Sequence, residues 1–200
     1  MKRKIKVLGV SLALVMILLG ITGQGAEATT FYFPYADVSF TGGPPYGSVE
    51  LTANSDAGTV TFVVTALTGG SDTLGEFAFN TDLSLTAANF TTVPTNWTMG
   101  SGHMDGFGEF DWTVGNTSNA DRVHQATIVI SGLSSPTEAD FEIDNANDHM
   151  FAAHLFQPGS GLTGFIAATP VNVHEPSILC LLGSGLLGLA GYGRKKLFKK

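Results

Sequence analysis

The chain has 200 residues, among them 25 glycines and 14 phenylalanines, with ten basic and 17 acidic side chains and a formal net charge of −7. The basic residues sit at the ends: four precede position 7 and five follow position 193. Between positions 29 and 173 one arginine, Arg122, stands against 15 acids, a formal −14, which repels nucleic acid and anionic lipid and excludes a nucleic-acid partner.

The N-terminus has the three parts of a secretory signal, assigned to residues 1–28. Lys2, Arg3, Lys4 and Lys6 form a charged region, Val7 to Ile21 an apolar one, and Ala26-Glu27-Ala28 a small-x-small site predicting cleavage before Thr29. The only cysteine, Cys180, lies near the other end, so the middle has no disulfide although an exported protein could form one. Its stability must come from packing, and a body spanning 29–168 is long enough to bury a core.

That body reads as a single all-β domain, an antiparallel β-sandwich of jelly-roll-like type. Short alternating runs rich in Thr, Val and Phe lie between turn residues, and no helical period persists. Phe31 to Phe40 is a strand that Pro34 confines to an edge or a bulge. Ser48 to Ala53 and Thr59 to Leu67 form a hairpin across Asn54 to Gly58; Val60, Phe62, Val64 and Ala66 face inward. Gly75 to Asn80 is a strand with Phe77 and Phe79 on one face, and Leu83 to Thr91 is expected to follow as another. Trp97 opens a loop-rich part. Phe107 to Val114 alternates again, with Phe110, Trp112 and Val114 inward, and Arg122 to Ser131 carries Ile128 and Ile130 in register.

Ser135-Pro136-Thr137-Glu138 has capping-box spacing that suits a helix start. Against it, Ala139, Phe141 and Ile143 alternate with acids, and we expect a strand. Met150 to Phe156 and Phe165 to Ala168 are the last strands, and residues 169–173 are a linker.

Candidate sites are sparse. His103, Asp105, Glu109 and Asp111 form a local polar group that could offer carboxylate oxygens and an imidazole to a metal, but their spacing is not that of a calcium loop, and the solvent face of a strand after a glycine turn explains them better. Asp144, Asn145 and Asp148 offer oxygens in one loop, a weak calcium candidate beside the ordinary reading as an Asx-rich turn. His149 and His154 are five apart, which on a strand points them to opposite faces. Trp97, Trp112 and Tyr46 could present rings to a sugar, Trp97 the better candidate because it is placed in a loop. No nucleophile elbow, zinc-protease motif or phosphate loop occurs, no cofactor is expected, and no residue is assigned as catalytic. The pair Glu109 and Asp111 would suit a glycosidase, but nothing distinguishes it from the other acids.

The tail is the most specific stretch. Val173-His174-Glu175-Pro176-Ser177 precedes Ile178 to Tyr192, which carries no charge, and Arg194, Lys195 and Lys196 begin a basic end. As a helix, residues 178–192 would span roughly 22 Å, short of a ~30 Å hydrocarbon core unless flanking residues and snorkelling lysines add reach. The basic end should stay cytoplasmic, with the body outside. Gly183, Ser184, Gly185, Gly188 and Gly191 would let another helix approach closely.

These residues resemble the PEP-CTERM sorting signal of Gram-negative bacteria, which joins a Val-Pro-Glu-Pro motif, a membrane segment rich in Leu and Gly, and a basic end. The likeness covers residues 174–200, and His174 stands where that family usually has its first proline. Pro45-Tyr46-Gly47-Ser48-Val49 and Asp105-Gly106-Phe107-Gly108-Glu109-Phe110-Asp111 are more loosely similar to a β-domain recurrent among such proteins. The resemblance implies an exosortase-type processing partner, a precursor held in the inner membrane, cleavage near Glu175-Pro176, and a body at the cell surface or in the extracellular matrix. It implies a non-enzymatic structural or adhesive role in envelope or biofilm. The alternatives are a polysaccharide- or calcium-binding module and, less favoured, a secreted hydrolase.

Overall fold

The computed structural model describes residues 28–169. Residues 1–27 of the expected signal, together with the sorting motif, the apolar segment and the basic end, lie outside the described residues, while Ala28, its expected last residue, begins the first strand.

The alternation in Thr59 to Leu67 becomes a strand because every second side chain is apolar and can leave water together. In β4 (Thr59–Ala66) Val60, Phe62, Val64 and Ala66 are buried while the residues between them are half-buried. β3 (Gly47–Asn54) pairs with it antiparallel, joined through a turn in which Asn54 Oδ1 accepts from Ala57 N at 2.9 Å. Gly58 closes the turn at φ +62°; a methyl group there would lie 2.5 Å from Leu133 O.

β3 and β4 belong to a five-stranded antiparallel sheet ordered β1–β3–β4–β9–β6, in which β1 is Ala28–Tyr32, β6 is Phe90–Thr92 and β9 is Gln125–Ser131. A six-stranded antiparallel sheet is ordered β2–β11–β10–β5–β8–β7. Its members are β2 (Tyr35–Ala36), β5 (Thr73–Phe79), β7 (Trp97–Met104), β8 (Gly108–Asn116), β10 (Phe151–Gln157) and β11 (Leu162–Ala168). Only the β3–β4, β7–β8 and β10–β11 connections stay within a sheet; every other one crosses the sandwich.

The two sheets meet through aromatic rings. Phe62 of the first sheet lies 5.4, 4.9 and 6.1 Å, centroid to centroid, from Phe77, Phe79 and Phe151 of the second. Phe141 meets Phe62 edge-on at 5.5 Å and closes one side. All five rings are fully buried. Pro34 does what an edge proline is expected to do: the ladder of β1 ends before it, and the chain passes from the edge of one sheet to the edge of the other.

Four expectations need correction. Trp97 does not open a loop; it opens β7, paired with β8 over its length, and Gly100 and Gly102 hid the alternation. Most of Leu83 to Thr91 is not a strand. Asn89 Oδ1 accepts from Thr86 N at 2.8 Å, folding Ala87–Asn89 into a 3₁₀ turn, and only Phe90 to Thr92 pairs. Glu138–Phe141 is also a 3₁₀ turn rather than a strand: Asp140 Oδ2 accepts from Thr137 N at 2.7 Å, and Phe141 alone reaches the core. Finally, Phe110 does not share a face with Val114. Gly100 pairs with Thr113 and Gly102 with Phe110, so β8 carries a bulge at Asp111 and Trp112. The bulge turns Phe110 into a second small cluster with Ala78, Met104, Phe107, Ala152 and Ala167.

Candidate functional site

The structure brings the expected site residues together only in part. His103 Nδ1 and Asp105 Oδ1 are 3.5 Å apart in a solvent-exposed pair at the β7–β8 turn, and Glu109 is exposed directly opposite His103 in the ladder, while the Asp111 carboxylate, in the bulge, accepts from Thr81 N at 3.1 Å. Among the described residues no three His, Cys, Asp or Glu side chains come together as metal ligands. In the loop between residue 144 and β10, Asn145 acts as a clamp. Its Oδ1 accepts from Asn147 N at 2.9 Å and His149 N at 3.1 Å, and its Nδ2 donates to Phe107 O at 2.8 Å and Glu109 O at 3.1 Å. The amide is spent holding the loop to the β7–β8 hairpin, and Asp148 takes the left-handed conformation at φ +62°.

The expected aromatic surface does not form either. Trp97 is 5% exposed and its Nε1 donates to Asp121 O at 2.9 Å. Tyr46 and Trp112 pack against the core, Tyr46 on Phe40 and Trp112 on Phe90. Among the described residues the exposed aromatic rings are those of Tyr32 and Tyr35, on either side of the Phe33-Pro34 crossing.

A different set of residues converges on the six-stranded sheet, around Arg122. The segment holding Arg122 is fixed on both sides. Asp121 accepts the Trp97 indole N–H through its backbone oxygen, and its Oδ1 takes the Asn96 Nδ2 donor at 2.8 Å. Val123 exchanges two backbone hydrogen bonds with Leu74, at 2.7 and 3.0 Å. Arg122 is thereby laid over the Phe156 ring, its guanidinium carbon 4.5 Å from the centroid.

Gly75 makes room beneath it. The β10 register places Glu76 opposite His154 and Leu74 opposite Leu155, so Gly75 is an extra, bulged residue of β5. A methyl group on Gly75 would lie 3.2 Å from His154 Nδ1 and 3.5 Å from both Arg122 Nε and Asn116 Nδ2. Three nitrogens of three elements therefore surround one glycine. His154 Nε2 is 2.7 Å from Thr163 Oγ1, and the imidazole stacks on Phe165 at 4.8 Å.

The electrostatics follow from burial. Desolvation lowers the His154 pKa, Arg122 lowers it further, and Asp37 partly opposes both. Desolvation raises the Glu76 pKa, offset in part by a hydrogen bond with Thr113. Desolvation also lowers that of Arg122. Among the described residues no carboxylate lies within ion-pair distance of Arg122 and no hydrogen bond ends on its guanidinium; Nε and the neighbouring Asn116 Nδ2 are buried without partners. That is unusual for the one cation of a body with 15 acids. The arginine also lines an open groove of about 460 Å³, which Thr92, Thr95, Asp121, Gln125 and Thr127 share.

The charge count already carried the signal for this site. A single arginine among so many acids is conspicuous, but its neighbours come from β5, β8, β10 and β11, and no local spacing joins them.

No protein-family profile matches the chain, and no curated protein matches it in sequence. A solved structure concerned with pH-induced modulation of Streptococcus parasanguinis adhesion by Fap1 fimbriae is similar over 74% of this chain and 98% of its own, at 14% identity and a TM-score of 0.33. So slight a likeness carries no argument about function.

Proposed function

We propose that the chain is an exported surface or matrix protein, sorted by a PEP-CTERM-type signal, whose β-sandwich is a non-enzymatic structural or adhesive module. The observation that carries this reading is the order of parts in the sequence. A signal peptide over 1–28 and a motif, apolar segment and basic end over 174–200 enclose one acidic, cysteine-free domain. The precursor is held in the inner membrane, an exosortase-type enzyme cuts near Glu175-Pro176, and the mature body reaches the cell surface or the medium.

Intact-mass measurement on protein recovered from its own cells tests the reading. The expected species begins at Thr29, ends near Glu175 or Pro176, and is found at the surface or in the medium. A species that keeps Lys200 and stays in the inner membrane would overturn the sorting part. So would unchanged surface location after removal of residues 178–200.

A further inference from the structure

We propose that Thr41 and Gln157 become covalently joined, the threonine hydroxyl displacing ammonia from the glutamine amide to form an intramolecular ester between the β2–β3 loop and the end of β10. The proposal goes beyond the sorting reading and does not rest on it.

Gln157 closes β10, is 4% exposed, and has both ends of its side-chain amide held. Oε1 accepts from Thr41 Oγ1 at 2.6 Å, Thr41 N at 3.0 Å and Ser160 Oγ at 2.9 Å. Three donors exceed the two lone pairs of an amide oxygen, and together they draw electrons from the carbonyl carbon. Nε2 donates to Thr41 O at 3.0 Å and to Asp72 Oδ2 at 3.2 Å. Asp72 is 2% exposed, and among the described residues no cation lies within ion-pair distance of its carboxylate. Thr68 Oγ1 donates to the same carboxylate oxygen, and His124 Nδ1 lies 2.9 Å from the Asp72 backbone oxygen. A buried carboxylate without a cation is a costly way to hold one loop. It suits a nitrogen that must gain positive charge in order to leave.

Thr41 Oγ1 is hydrogen-bonded to an oxygen one bond from Gln157 Cδ, which puts it within about 3.8 Å of that carbon. Reacting atoms attack from about 3–3.5 Å. A small rotation about the Gln157 Cγ–Cδ bond turns the face of the carbonyl to the hydroxyl. The Oγ1–Cδ bond forms as the hydroxyl proton passes to Oε1, its present acceptor. That proton then moves to Nε2, the Cδ–Nε2 bond breaks with its electron pair going to nitrogen, and the carbonyl re-forms. The Asp72 carboxylate stabilises the nitrogen while it is protonated, and the exposure of Thr41 gives the ammonia a path to water. A hydroxyl and an amide become an ester and ammonia, with nothing else consumed. Dilution of the ammonia into bulk water draws the reaction forward.

The body has no cysteine, so no disulfide braces it. The ester joins residues 116 apart in sequence and constrains the unfolded chain as a disulfide of that span would. Ser160 Oγ also touches Oε1, but it lies three residues from Gln157, so its ester would close only a local turn. Thr41 is the hydroxyl that comes from a separate part of the fold.

The test is intact-mass and peptide mass spectrometry on the full chain purified in detergent. Once its ends are assigned, we expect the unmodified chain to be lighter than its sequence by one ammonia, about 17 Da. A digest should yield a branched peptide joining Thr41 to Gln157, which hydroxylamine splits. Thr41→Val should restore the full mass, while Thr41→Ser and Ser160→Ala should keep the link. Asp72→Asn should slow formation of the link after refolding by about tenfold or more. An unmodified chain at full sequence mass would overturn the proposal, and so would a link at Ser160. A loss of ammonia that persists in Thr41→Val would overturn it too, since it would mark a succinimide at an asparagine. An unchanged rate in a folded Asp72→Asn chain would overturn the role given to that carboxylate. The mass and the branched peptide are read on the unmodified chain, so they decide even if a variant fails to fold. Neither depends on where the protein is sorted, so failure here is distinct from failure of the sorting reading.

Discussion

Replacing Phe62 by alanine should be among the most damaging single changes in the body. The ring is fully buried and touches Phe77, Phe79, Phe141 and Phe151 at centroid distances of 4.9 to 6.1 Å. Removing a buried phenylalanine costs about 3 kcal/mol in lost transfer free energy. The flanking strands are held by ladders on both sides, so the void cannot close freely, and the total should reach about 4–5 kcal/mol. With a urea dependence of about 2 kcal/mol/M, the unfolding midpoint should fall by about 2 M. Phe62→Leu, which keeps most of the volume, should cost about 1–2 kcal/mol. Urea titration followed by near-ultraviolet circular dichroism reads both variants. A fall of under about 0.5 M for Phe62→Ala would refute the reasoning, because it would mean that the two sheets do not close on this ring.

Trp97→Phe should keep most of the buried volume but strand the Asp121 carbonyl, costing about 1–2 kcal/mol; the thermal midpoint reads the effect. Asn145→Ala should remove four hydrogen bonds and cost about 2–4 kcal/mol, seen as faster proteolysis between residues 144 and 149. Gly58→Ala should cost about 2 kcal/mol or more, since φ +62° and the nearby Leu133 O both oppose a methyl group; an unchanged melting temperature would contradict that turn geometry. His154 has a lowered pKa in the folded chain, so its stabilising contribution is present above the ordinary histidine range and is lost as pH falls through the depressed value. His154→Gln should then flatten the loss of stability on acidification below neutrality, measured as urea midpoints across pH. Glu76 has the opposite sign: its pKa is raised, so Glu76→Gln should stabilise the chain at neutral pH and do little in acid.

The strand pattern was legible wherever one residue type repeated at period two. β4 is the clearest case, because burial of alternate side chains is itself the force that makes the strand. β7 was not legible, since glycine replaces apolar residues along a strand that needs only its neighbour's ladder. The segment over 138–141 misled because alternation and a helix start coincide there; the Asp140 carboxylate decides between them by closing the turn. Phe110 was placed on the wrong face because a bulge consumes one residue without leaving a local mark.

The site shows the same division more sharply. Charge, the absence of disulfides, the all-β class and the sorting-like ends are properties of composition and order, and they can be counted along the chain. Whether Trp97 is offered to a ligand or enclosed, and whether Asn145 is free to bind or already bound, depends on residues tens of positions away. The same is true of Arg122: it is conspicuous in the count, yet its meaning comes from Gly75, Asn116, His154 and Phe156, which meet only when the strands of one sheet lie side by side. Side-chain burial and hydrogen bonding are non-local quantities, set by which strands become neighbours, and that order cannot be read from any one stretch of residues.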